Sequence, residues 1–311
     1  MEKRTIGSLE VSLVGLGCNN FGWRIDAAAT AGVVDAALEA GINFLDTADV
    51  YGTGQSEEFL GQALKGRWNA VVIATKFGSK MDDQRPGGAK PDYIRRAVED
   101  SLRRLGTDRI DLYQLHRPDA GTPVEETLGA LDALVKEGKV REIGASNFTA
   151  EQIREAEESA RHGAARFVSI QNEYSLLHRG PEKDVLPECI RHRLSFLPYF
   201  PLANGLLTGK YLPGQPAPAG SRGEAGWGPK VFTEENLEVA ASLRQFAESR
   251  GRSLLELAFS WLASRPAVAS VIAGAKTPEQ VRANAAAANW SLSEADLVAV
   301  DRILAAKVMR A

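Results

Sequence analysis

Short apolar runs alternate with longer amphipathic segments along almost the whole sequence. The plainest run is Val71-Val72-Ile73-Ala74-Thr75-Lys76, whose β-branched residues suit a strand buried on both faces. Comparable runs lie at residues 14–17, 43–46, 110–115, 143–145, 167–171, 195–199 and 271–273. Between them apolar residues recur at helical spacing. Residues 91–105 begin with Pro91, set Tyr93, Ile94, Ala97, Val98, Leu102 and Leu105 on one face, and stop at Gly106. Further helices are predicted over 27–40, 56–64, 124–136, 150–161, 184–192, 234–250, 254–264, 278–287 and 294–306.

Strands that alternate with helices form a parallel sheet, and eight such units close it into a (β/α)8 TIM barrel. The predicted class is therefore α/β. The 311 residues are read as a single barrel domain over 1–311, since such barrels take about 250 residues. The remainder supplies extra helices and an N-terminal β-hairpin over residues 3–12, turning at Gly7-Ser8 and expected to cap the barrel bottom. Residues 214–228, rich in Gly and Pro, form one long loop. Loops of that length inside a compact domain are usually functional or disordered.

Two glycine-rich stretches imitate other folds. Gly15-Leu16-Gly17 follows the first barrel strand as a dinucleotide fingerprint would, but Asn20 occupies the third glycine position. Residues 205–210 approach a P-loop, yet the spacing is one residue short and Tyr211 replaces Ser or Thr. Composition excludes several function classes. With 44% hydrophobic and 25% charged residues the chain is neither disordered nor a mini-protein. A net charge of −3 gives no basic surface for nucleic acid. No apolar run is long enough to span a membrane. Cys18 and Cys189 lie far apart, without metal-ligand spacing, so neither a metal nor a disulfide is expected. A cytoplasmic location is expected from the absence of an apolar leader behind Met1. Sequons at Asn147 and Asn289 carry no weight without one.

In a (β/α)8 barrel the reactive groups sit at the C-terminal strand ends. Those ends carry Asp46, Lys76 and His116, and Tyr51 follows Asp46 by five residues. Each has an ordinary structural reading: a capping acid, a rim cation, an interior histidine, a loop aromatic. Together they suggest proton transfer, because an ion-paired Lys beside a Tyr lowers the phenol pKa from about 10. A phenol so tuned is a competent general acid.

These residues and their surroundings resemble the aldo-keto reductase family over essentially the whole chain. The likeness rests on Asp46-Thr47-Ala48 with Tyr51-Gly52, on Ser56-Glu57, on Asp111-Leu112-Tyr113-Gln114-Leu115-His116 and on Ile143-Gly144-Ala145-Ser146-Asn147-Phe148. The resemblance implies a catalytic tetrad of Asp46, Tyr51, Lys76 and His116. It implies reversible, NADPH-dependent reduction of aldehydes or ketones, with Tyr51 as acid. By the same resemblance Ser146, Asn147 and Gln171 hold the nicotinamide carboxamide and Tyr199 stacks on its ring. Leu202, Asn204, Gly205, Leu207 and Lys210 wrap the pyrophosphate, and Arg222 in the long loop reaches it. Gly274, Lys276, Thr277, Gln280 and Asn284 clamp the adenosine end.

Lys276 beside a helix start suits a 2′-phosphate and so NADP(H); the same segment also reads as an ordinary Thr-capped helix with Pro278 in its first turn. The chain departs from the family pattern at Phe200, where a Ser is usual, at Asn204 and at Gln280. Trp23 and Phe77 are candidate walls for an apolar substrate, and Trp227 lies in the long loop. The expected partner is a small carbonyl compound or alcohol, with no nucleic acid and no membrane. Two other classes remain open: a cofactor-sensing regulatory subunit on the same fold, and a barrel hydrolase, which would need paired carboxylates across the pocket.

Overall fold

A computed structural model describes residues 1–160, 165–226, 228 and 230–308. The strands are β1 (Lys3–Ile6), β2 (Leu9–Ser12), β3 (Val14–Gly17), β4 (Phe44–Asp46), β5 (Val72–Phe77), β6 (Ile110–Leu115), β7 (Val140–Ser146), β8 (Ser169–Glu173), β9 (Ser195–Tyr199) and β10 (Val271–Gly274). The helices are α1 (Ala27–Glu39), α2 (Gln55–Ala63), α3 (Pro91–Leu105), α4 (Val124–Lys136), α5 (Ala150–Ala160), α6 (Val185–His192), α7 (Glu234–Ser249), α8 (Leu254–Ala263), α9 (Pro278–Ala287) and α10 (Glu294–Val308). The last residue of the helix expected over 150–161, Arg161, lies outside the described residues, as does Trp227.

Strands β3 to β10 form one parallel sheet in the order β10-β3-β4-β5-β6-β7-β8-β9. It closes just ahead of β10, where Phe196 N donates to Ala267 O (2.7 Å) and Ala269 N donates to Phe196 O (3.1 Å). The fold is the (β/α)8 barrel expected from the alternation. Helices α7 and α10 are additions that pack on one another. No described helix is long and apolar enough to cross a membrane.

Two apolar layers hold the barrel. The outer one lies between strands and helices and includes Leu16, Leu45, Ile73, Phe77, Tyr113 and Ile143. The inner one fills the barrel with Phe44, Val72, Ala74, Leu112, Leu197 and Ile272, and the hairpin β1–β2 joins it through Ile6, Leu9 and Val11. The hairpin thus plugs the N-terminal end. Polar contacts fix it there: Arg4 Nη1 donates to Val268 O (2.6 Å) and Ser12 N donates to Asn43 Oδ1 (2.6 Å). The filling is dense enough to require glycine at position 15, where a Cβ would come within 2.9 Å of Phe44 Cδ1.

Candidate active site

Three neighbouring strands bring the sequence-identified residues together. Asp46 ends β4, Lys76 lies one residue inside the end of β5, and His116 follows β6. The chain leaving β4 runs back over β5: Thr47 N donates to Ala74 O (2.8 Å) and Asp49 N to Lys76 O (3.1 Å). That path sets Tyr51 above Lys76, whose Nζ lies 5.1 Å from the phenol ring centroid. The turn works only with glycine at 52, which has φ +57° and whose Cβ would meet Phe21 O at 3.0 Å.

Lys76 and Asp46 form a buried ion pair, with side chains 0% and 4% exposed and Nζ to Oδ2 at 2.7 Å. Lys76 Nζ also donates to Thr47 O (2.8 Å). Asp46 Oδ1 accepts from Gln171 Nε2 (2.9 Å) and from Gln114 Nε2 (3.2 Å). Burial works against the Lys76 ammonium, but Asp46 and Tyr51 outweigh it and hold its pKa above the ordinary lysine value. The lysine therefore stays charged.

Tyr51 departs from the sequence-based expectation. Burial raises its pKa, the pull of Lys76 opposes, and burial wins, so the phenol lies above its ordinary value and carries its proton at neutral pH. His116 is pushed down to about 3, by burial first and then by Lys76 and Arg117. Its imidazole is neutral, stands edge-on to Tyr51 with centroids 5.8 Å apart, and has a buried Nδ1 without a partner among the described residues. A protonated phenol and a neutral imidazole thus face one point beside a fixed cation. Such a group can give a proton to an oxygen on which negative charge develops.

A cavity of about 580 Å³ opens over this point. Its wall includes Asp46, Tyr51, His116, Ser146, Asn147, Gln171, Tyr199, Leu202, Asn204, Gly205, Lys210, Arg222, Gly274, Lys276, Gln280 and Asn284. One side is a chain of amides and hydroxyls. Ser146 Oγ donates to Gln171 O (2.7 Å), Asn147 Nδ2 to His116 O (2.9 Å) and Tyr199 OH to Asn147 Oδ1 (2.8 Å). The other side carries the cations Lys210, Arg222 and Lys276.

The aldo/keto reductase family model matches residues 13–305. The chain belongs to that family. An uncharacterised oxidoreductase of Bacillus subtilis (strain 168) is 38% identical over 294 residues, covering 93% of this chain and 92% of that protein. An NADH-specific methylglyoxal reductase of Escherichia coli (strain K12) is 37% identical over 328 residues, covering 95% and 96%. Among solved structures, a glycerol dehydrogenase of Gluconobacter oxydans superposes with a TM-score of 0.85 at 34% identity, covering 98% of this chain and 96% of that one.

In this aldo/keto reductase the long loop is tied to the cavity wall at two points. Arg222 Nη1 donates to Asn204 Oδ1 (3.2 Å), and Lys276 Nζ donates to Gly220 O (3.3 Å). Burial lowers the Arg222 pKa, and the charge of Arg24 adds to it. Backbone strain collects on the same rim: Asn147, Phe200, Ala203 and Asn204 all have positive φ without being glycine.

Four sequence candidates stand elsewhere. Phe77 points away from Lys76 into the outer layer, where it is fully buried and stacked on Tyr113 at 4.7 Å, so it is no pocket wall. Strand alternation is the reason: if Lys76 faces inward, its neighbour faces out. Trp23 is half exposed and lies outside the cavity wall. Leu207 is buried in the core, and Thr277 Oγ1 caps α9 by accepting from Gln280 N (3.4 Å). Conversely, the wall includes Arg24, Arg117, Asn19, Asn20 and Ser221, and the Asp46 network includes Gln114, none of which the sequence reading selected. For Gln114 the signal was present: it pairs with Lys76 across β5–β6 and shares its inward parity.

Removing one partner of a buried pair strands the other charge. Asp46→Asn is expected to lose about 3–5 kcal/mol of stability, measured by urea unfolding.

Proposed function

We propose that this protein is a nicotinamide-dependent reductase of aldehydes or ketones, reversible in direction, which uses NADP(H) and Tyr51 as the proton donor. The observation that carries the reading is the protonated Tyr51 phenol held over the buried Lys76–Asp46 pair beside a neutral His116. The cavity suits the dinucleotide. Its amide-and-hydroxyl side matches a carboxamide, and its cationic side matches phosphates. Gly274 leaves open a cradle at the end of β10, where a Cβ would lie 3.0 Å from Asn19 Oδ1.

Ser146, Asn147 and Gln171 would hold the carboxamide, and Tyr199 would offer its ring face to the nicotinamide. Lys210 and Arg222 would hold the pyrophosphate, with Gly274, Gln280 and Asn284 around the adenosine. Lys276, beside the N-terminus of α9, would meet a 2′-phosphate. When bound, the nicotinamide supplies the hydride.

The protein's own residues supply the rest. His116, being neutral, donates a hydrogen bond to the carbonyl oxygen and orients it. Tyr51 passes its proton to that oxygen as charge develops there. Lys76 stabilises the phenolate left behind, and Asp46 keeps Lys76 charged. Orientation of the carbonyl against the cofactor contributes the remaining acceleration.

Tyr51→Phe is expected to lower carbonyl reduction by about 10²–10⁴-fold, while dinucleotide binding, followed by fluorescence titration, persists. Retained turnover would remove the role. The Escherichia coli relative named above is NADH-specific, which makes cofactor choice a separate test. Lys276→Ala is expected to raise KM for NADPH about tenfold more than KM for NADH, as loss of a phosphate contact requires. Equal effects on both would point away from NADP(H).

A further inference from the structure

A second cavity, of about 570 Å³, shares Tyr51, His116 and Arg117 with the first and extends away from the cationic side. It is where a substrate would sit if the reductase reading holds, on which this inference rests. Its remaining wall is Val50, Gly78, Ser79, Lys80, Gly88, Pro118 and Asp119. Ser79, Lys80 and Asp119 give it polar and charged positions beside Val50 and Pro118, and the aromatic candidates Trp23 and Phe77 take no part in it.

The charges in this wall are unequally committed. Both Asp119 oxygens are engaged: Oδ1 accepts from Gly121 N (2.9 Å), and Oδ2 from Ala89 N (2.8 Å) and Thr122 Oγ1 (2.8 Å). Lys80 is paired with the exposed Asp83 at 2.8 Å. Arg117 makes no side-chain hydrogen bond or ion pair with any described residue, and its charge acts on His116 and Tyr199. Asp119 stays ionised, but its oxygens are taken up by neutral donors; the charged group in this wall with uncommitted hydrogen-bonding capacity is the Arg117 guanidinium. A guanidinium matches carboxylate and phosphate geometry with two parallel hydrogen bonds. It also follows His116 directly, and adjacent Cα atoms are only about 3.8 Å apart.

We propose that the substrate is a small carbonyl compound carrying an anionic oxyacid group a few bonds from the carbonyl carbon, and that Arg117 selects it. The group is a carboxylate or a phosphate monoester.

The test compares matched pairs of aldehydes with NADPH: 4-oxobutanoate against butanal, and glycolaldehyde phosphate against glycolaldehyde. The wild type is expected to favour the anionic member of one pair in kcat/KM by about ten- to a hundredfold, the range of one charge-assisted contact. The pair that shows it names the oxyacid. Arg117→Met is expected to remove most of that preference, chiefly through KM, and Arg117→Lys to restore part of it. Ratios near one in both pairs, or a preference unchanged in Arg117→Met, would overturn the assignment while leaving the reductase reading intact. Turnover of none of the four aldehydes would remove both.

Discussion

A lysine taken out of water inside a barrel needs an answering charge, and Asp46 provides it for Lys76. Such a pair is a poor way to stabilise a fold, since desolvation offsets most of the attraction. What it secures is a fixed cation in a low-dielectric place. Tyr51 keeps its proton because burial raises its pKa, and the nearby ammonium makes the phenolate less costly when the proton leaves. His116 stays neutral partly because the same ammonium faces it. The lysine's charge and part of the histidine's neutrality therefore depend on one interaction, while burial holds the phenol's proton against it. Gln114 and Gln171 complete it by occupying the remaining Asp46 oxygen, which leaves the carboxylate no freedom to turn away.

The rest of the rim arranges itself around that pair. The hairpin and the inner apolar layer close one end of the barrel, and the cavity lies over Asp46, Tyr51, His116 and Gln171 at the other. On the far side of the cavity, non-glycine residues with positive φ mark the segment after β9. One of them, Asn204, accepts a hydrogen bond from Arg222 in the long loop. Cations that the overall composition gives no hint of are gathered there, with Arg24 and Arg222 close enough for each to feel the other's charge.

Much of this was legible in the sequence. Buried parallel strands show as short apolar runs, so all eight barrel strands stand out, and their C-terminal ends locate Asp46, Lys76 and His116. Tyr51 followed from its place in the next loop. Other features could not be read because they are set by packing in three dimensions. The direction of the Tyr51 shift depends on how deeply the hydroxyl is buried, which no residue spacing reports. The tie between Lys276 and Gly220 O joins segments far apart in the chain. Phe77 and Gln114 are a different case, since strand parity alone turns one outward and the other inward.

The central claim is that the buried Lys76 charge makes the adjacent phenol an effective proton donor. Single-turnover reduction of a carbonyl substrate, with saturating dinucleotide, by folded wild-type protein and by Lys76→Met tests it most directly. The expected result is a fall of about 10²–10⁴-fold in the single-turnover rate, with dinucleotide affinity little changed. An undiminished rate in the folded variant would contradict the claim.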